Sequence, residues 1–256
     1  MLLLAATVSI DSFAWRPQLL ESRHGSMKLP AKISDDLAPP KTAVLPSQAW
    51  RTTLSRMFLY SACLGPLLDN YHGLFNVLTY REGVPIILQM QGHTFLKTAL
   101  WVPPLFGFAG VAMSAIVLVL DERLPSSPVA LNPSWSKVLY GISFFSAQYY
   151  LSGLLDFVSI ENLTIHVILA VLAVAGWVVF DFTTAGLLLG IATAIAGPIA
   201  EIIITDLGLY SYTHADLLQV CSWIPWVYFL GAPAVGNLAR RVFRDASGNR
   251  NATIDI

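Results

Sequence analysis

Five stretches of this chain run for 18 to 23 residues without one Asp, Glu, Lys or Arg: Thr98–Leu120, Val138–Leu155, Asn162–Phe180, Thr183–Ala200 and Leu217–Ala239. At 1.5 Å per residue, about 20 helical residues cross the ~30 Å hydrocarbon of a bilayer, and the runs are too long for buried strands. A helix also satisfies its own backbone donors and acceptors, as lipid demands. Charges punctuate the runs: Asp121-Glu122-Arg123, Lys137, Asp156, Glu161, Asp181, Asp206 and Asp216. Only 12% of the 256 residues are charged, about half the ~25% that coats a soluble domain.

Ahead of these runs, Met57–Leu68 has 12 uncharged residues before Asp69-Asn70-Tyr71-His72, and Gly73–Tyr80 resumes the apolar pattern. This predicts a broken or tilted helix over about 53–80, its polar group turned toward protein or water. The expected fold class is therefore all-α: a polytopic membrane protein, a bundle of about six transmembrane helices over residues 51–242. Residues 1–50, punctuated by Pro30, Pro39, Pro40 and Pro46, read as a disordered tail or a leader, and 243–256 as a polar tail. An even number of crossings puts both termini on one side. That side carries Lys41, Arg51, Arg56, Arg123, Lys137, Arg240, Arg241 and Arg244, against Arg81 and Lys97 opposite. The bias of basic residues places the termini in the cytosol, or in the stroma if the membrane is a plastid one.

Several function classes drop out. A net charge of -1 without clustered Lys and Arg gives no nucleic-acid footprint. Cys63 and Cys221 sit in apolar runs and read as two buried thiols, not a disulfide framework. His24, His72, His93, His166 and His214 are too dispersed for any two to share a helix face, so no metal site is expected. No GxSxG, P-loop or CxxC occurs, and neither catalytic residues nor a cofactor are assigned. Ionisable groups in spans are functional candidates by default. The alternative reading is thus a transporter or intramembrane enzyme using Asp69, His72, Asp156 and Glu201 around a central cavity. Glu201, after Gly197-Pro198, reads equally as such a group or as a helix-end carboxylate near the headgroups. Pro103 and Pro104 remove backbone donors, so the second helix must kink or begin there, and a kink would splay neighbours and open a lipid-accessible pocket.

Trp101-Val102-Pro103-Pro104, followed by Gly107 and Asp121, resembles the WVPP segment of the Insig (insulin-induced gene) family. Trp177-Val178-Val179-Phe180-Asp181 with Gly186 and Gly190 is similar to its W-x-x-F-D…G-x-x-x-G stretch. Tyr210-Ser211-Tyr212-Thr213, Ser222-Trp223-Ile224-Pro225 and Gly236-Asn237-Leu238-Ala239-Arg240 look like its YxYT, SWLP and GNxGR elements. Order and spacing hold over about residues 97–242. The resemblance implies a non-enzymatic six-helix protein of the endoplasmic reticulum membrane. It implies binding of a sterol or other lipid, and retention of sterol-sensing-domain membrane proteins as partners.

Family positions for the lipid fall on Phe145, Gln148, Thr164 and Trp177. Phe145 and Trp177 would be apolar walls, and Gln148 and Thr164 hydrogen-bonding groups for one polar end; Phe and Trp in a helix more often pack or sit at the interface. Partner binding falls on Asp181, with Gly236, Asn237 and Arg240. A carboxylate at that helix end is expected to be hydrated, and it either pairs with a partner or caps the next helix. The chain departs from the family in having Phe182 where a basic residue follows the aspartate, and in the group Asp69-Asn70-Tyr71-His72.

Overall fold

A computed structural model describes residues 48–81, 85–90 and 92–248; the tail or leader expected at 1–50 lies almost wholly outside them, as does most of the C-terminal tail. Six long helices carry the fold: α1 (Gln48–Leu74), α2 (Val102–Arg123), α4 (Trp135–Phe157), α5 (Asn162–Phe180), α6 (Thr184–Asp206) and α7 (Ile224–Ala246). A single turn, α3 (Pro128–Leu131), bridges α2 and α4. Strands β1 (Leu78–Tyr80) and β4 (Tyr210–Tyr212) pair antiparallel, as do β2 (Pro85–Met90) and β3 (His93–Ala99). The chain reverses at each long helix. The α1–α2, α4–α5 and α6–α7 connections share one end of the bundle, called the distal end below. The α2–α4 and α5–α6 connections share the other, the terminal end.

Helix starts follow local chemistry. The Ser134 hydroxyl accepts the Lys137 amide at the start of α4, and the Thr183 hydroxyl accepts the Gly186 amide at the start of α6, each satisfying one orphan donor. Pro103 and Pro104 lie in the first turn of α2, where a missing N–H costs nothing. They begin that helix, one of the two outcomes their position left open. α7 begins seven residues later than its charge-free run. Asp216 accepts the Ser222 amide at 2.7 Å and its hydroxyl at 2.6 Å, tying 216–222 into a loop, and Pro225 then sits in the first turn. Burial works against the Asp216 charge, but these bonds and one from Asn162 outweigh it and hold the carboxyl below its usual range. Likewise α1 ends at Leu74, because Leu78–Tyr80 is taken up by pairing with Tyr210–Tyr212.

α7 is the hub, packing against every other long helix, with 14 of its 23 residues buried. By contrast α5 buries only Ile165, Leu169, Ala173 and Gly176. Its exposed Leu163, Val167, Val171, Val174 and Val178, and Leu188, Ile191, Ile195, Ile199 and Ile203 on α6, recur every three or four residues. Such stripes are lipid-facing surfaces, since leaving this much apolar area in water costs about 25 cal/mol per Å². By length and composition α2, α5 and α6 are apolar enough to cross a membrane. The similarly long α1, α4 and α7 are less apolar, and part of their polar content is turned inward. Asn70, His72, Gln148, Ser152, Asp156, Asn237 and Arg240 are all buried. Cys221 is buried too, but Cys63, expected to be so, is exposed on α1.

Close approach of α1 and α2 depends on small residues, as in lipid-embedded pairs generally. A Cβ at Gly110 would lie 1.9 Å from the Ser61 hydroxyl, and one at Gly65 2.1 Å from the Phe106 ring.

Candidate functional site

A cavity opens among α1, α2, α4, α6 and α7. Its walls are mostly apolar, with Leu64, Leu68, Phe106, Met113, Phe145 and Val235 among them. Polar groups gather at the distal end: His72, Tyr149, Glu201, Tyr212 and Tyr228. The Glu201 carboxylate accepts the phenols of Tyr212, at 3.1 Å, and Tyr228. Behind Tyr149, Asp69 accepts the phenols of Tyr80 at 2.6 Å and Tyr149 at 3.4 Å. Neither carboxylate has an ion-pair partner among the described residues.

The histidine is oriented by its neighbours. Ser152 donates its one hydroxyl proton to the Tyr149 carbonyl at 2.7 Å, so its oxygen is left to accept from His72 Nε2 at 2.9 Å. His72 Nδ1 therefore carries a lone pair, and that atom has no partner although the side chain is 1% exposed. Of the four groups proposed for a central polar site, Asp69, His72 and Glu201 converge here. Asp156 does not: it meets His214 Nδ1 at 2.9 Å, in the loop that follows β4.

A second polar cluster lies at the terminal end. The Arg240 guanidinium grips Asp121 with two bonds of 2.7 and 3.0 Å, donates to Asp181 at 3.0 Å, and reaches Asn237 and Thr183 at 3.1 Å each. Asn237 in turn donates to the Phe180 carbonyl at 2.6 Å. Asp181 also accepts the Thr183 hydroxyl at 2.6 Å. The expectation of a hydrated Asp181 fails, because its side chain is fully buried between the α5 end and α7. Only a glycine fits beside it: a Cβ at Gly186 would stand 1.9 Å from the Asp181 carboxylate. Asp181, Asn237 and Arg240 thus form one network. A Cβ at Gly236, one residue before Asn237, would meet Val117 at 3.5 Å.

The residues assigned to lipid are dispersed. Phe145 is a cavity wall. Gln148 is buried between α4, α5 and α7, donating to the Leu169 and Trp226 carbonyls at 3.0 and 3.3 Å, with its own oxygen unpartnered. Trp177 donates to the Thr183 carbonyl at 3.2 Å and packs on Phe182. Thr164 is exposed on α5.

Sequence reasoning missed Tyr80, Tyr149 and Tyr228 as members of the polar end, and tyrosine gives no signal of its own in an apolar run. The terminal cluster was easier to find: Asp121, Asp181 and Arg240 are the charges that abut three charge-free runs at one end. Motifs far apart in the chain also meet, with Trp101 of the WVPP segment stacked on Tyr210, rings 5.8 Å apart.

Comparison with known proteins bears on all of this. The family described as Insulin-induced protein (INSIG) matches residues 57–243. The chain is 29% identical over 174 residues to the insulin-induced gene 1 protein of Xenopus laevis, 68% of each chain being covered. It is 30% identical over 169 residues to the human protein of that name, covering 66% of this chain and 60% of the human one. A crystal structure of a mycobacterial Insig homolog from Mycobacterium vanbaalenii superposes with a TM-score of 0.62 at 19% identity, over 74% of this chain and 93% of that one. A cross-linked trimer of MvINS gives 0.63 at 20% identity, over 77% and 95%; at these identities the likeness concerns the fold.

Proposed function

Because the chain belongs to the Insig family, we propose that it is a non-enzymatic membrane regulator that binds a sterol or other lipid in its central cavity. By family resemblance it retains sterol-sensing-domain proteins in the endoplasmic reticulum membrane when that lipid is present, both termini facing the cytosol. The observation that carries the reading is the cavity itself: an apolar chamber with polar groups at one end suits an amphiphile. Partner binding is attributed to the terminal end. Asp181, Asn237 and Arg240 face inward, so their part is to hold the α5–α6 turn. That turn presents Phe182, 68% exposed, where the family has a basic residue. The change of residue favours a partner surface that is apolar at this point.

The transporter or enzyme alternative draws support from the convergence of Asp69, His72 and Glu201. Against it, the remaining walls are apolar, a poor path for a hydrated solute.

Two measurements test the reading. Mass spectrometry of protein purified in mild detergent is expected to find one lipid class enriched, and Val235→Trp, which fills the apolar part of the cavity, to lose it. Retention of the same lipid by that variant overturns the cavity assignment. Cross-linking in membranes with and without added sterol is expected to capture polytopic partners only when sterol is present, and capture indifferent to sterol overturns the regulatory role.

A further inference from the structure

We infer that the polar end of the cavity takes a cationic, donor-rich headgroup, and that the ligand is a long-chain amine or an amphiphile bearing one. This rests on the lipid-cavity reading above and specifies its ligand.

The inference comes from counting donors and acceptors. The phenol protons of Tyr212 and Tyr228 are spent on Glu201, and those of Tyr80 and Tyr149 on Asp69. The Ser152 proton is spent on the Tyr149 carbonyl. What remains unmatched in and behind this end of the chamber is acceptor capacity. Each carboxylate has about four lone-pair sites and uses two here. His72 Nδ1 adds a buried lone pair with no partner at all, and that orphan points independently to a missing donor. No Lys or Arg is among the residues lining the cavity.

Three headgroup classes can be compared against that surplus. A phosphate or carboxylate brings only acceptors and negative charge, and is repelled. A hydroxyl brings one donor and leaves the rest unmet. An ammonium brings three donors, no acceptor and a positive charge. Its attraction to Glu201 is strengthened where water is scarce, and the tyrosine rings of the lining supply further cation-binding surface. Asp69, which sits behind Tyr149, is a positioning residue: it holds that phenol and adds to the negative field.

Three probes with one tail and different heads test this on the full-length protein in detergent: octadecylamine, octadecanol and octadecanoate. Octadecylamine is expected to bind about tenfold or more tightly than octadecanol, the size of one charge-assisted hydrogen bond, with octadecanoate weakest. Glu201→Gln is expected to erase the amine's advantage over octadecanol. Asp69→Asn is expected to reduce the same advantage by a smaller factor. Equal binding of octadecanol and octadecylamine to the parent, or an advantage that survives Glu201→Gln, overturns the inference. If none of the three saturates the protein while a sterol does, the amine headgroup is wrong and the lipid cavity stands. If the sterol fails too, both fall.

Discussion

The two ends of the bundle each hold a pair of carboxylates, and they treat them in opposite ways. At the terminal end, Asp121 and Asp181 share one guanidinium: Asp121 accepts two bonds from Arg240, and Asp181 Oδ1 accepts one from Arg240 and one from Thr183, while Asp181 Oδ2 has no partner among the described residues. At the distal end, Asp69 and Glu201 receive four phenols and no cation. One cluster is closed in charge, with its cation inside it, and joins α2, α5, α6 and α7. The other is open to a cavity and has no cation among the described residues. A charge inside a membrane can be structural or functional, and what separates the two is whether the protein itself supplies the compensating charge.

The largest effect is expected at the closed end. Arg240→Met strands two buried carboxylates, and breaking a buried pair from one side costs about 3–5 kcal/mol. Thermal unfolding in detergent should show a steep loss of folded protein. Replacing Asp121 and Asp181 by leucine in the same chain should recover much of it, because the partnered charges then leave together. If Arg240→Met melts like the parent, the closed end is not a structural lock and the contrast collapses. Next comes Gly186→Ala. The added methyl meets a carboxylate that Arg240 and Thr183 hold still, so it cannot swing away. Overpacking of this kind costs about 1–3 kcal/mol, read as a lowered melting temperature; an unchanged one would mean that Asp181 has room to move.

Glu201→Gln should be milder. The amide keeps an acceptor for one phenol and a donor for the other, and it removes a charge that the fold leaves uncompensated. The expected change in unfolding free energy is within about 1 kcal/mol. A loss as large as that of Arg240→Met would make the distal cluster a second structural lock and remove the reason to call it open.

How far these ends were legible in sequence differs for physical reasons. Charge-free runs located five of the six long helices, because the length that crosses lipid is a local property; α5 even has the bounds of its run, Asn162–Phe180. α1 and α7 were harder, since strand pairing at 78–80 and the Asp216–Ser222 knot are made with distant or looped residues that periodicity does not see. Asp181 was expected to be wet because it ends a span on the side that the bias of basic residues turns to water. Its burial depends on Arg240, 59 residues away. The carboxylates Asp69 and Glu201 stood out as charges beside apolar runs, but the tyrosines that hold them did not, because a phenol reads as one more aromatic until its hydroxyl partner is known.

The smallest effect is expected at Thr164, outside both clusters. Its side chain is exposed on α5 between the lipid-facing Leu163 and Val167, and its hydroxyl makes no hydrogen bond among the described residues. Thr164→Val keeps the shape and removes only that hydroxyl, so stability should stay within about 0.5 kcal/mol, and a ligand in the central cavity should not notice. Lipid retention by the variant, measured beside Val235→Trp, therefore asks which side of α5 the ligand occupies. Unchanged retention in Thr164→Val together with loss in Val235→Trp puts the ligand between the helices, at the open end of the comparison. The reverse pattern would mean that the ligand lies against the outer face of α5, in contact with membrane or partner. The donor deficit around Glu201 and His72 would then need another explanation.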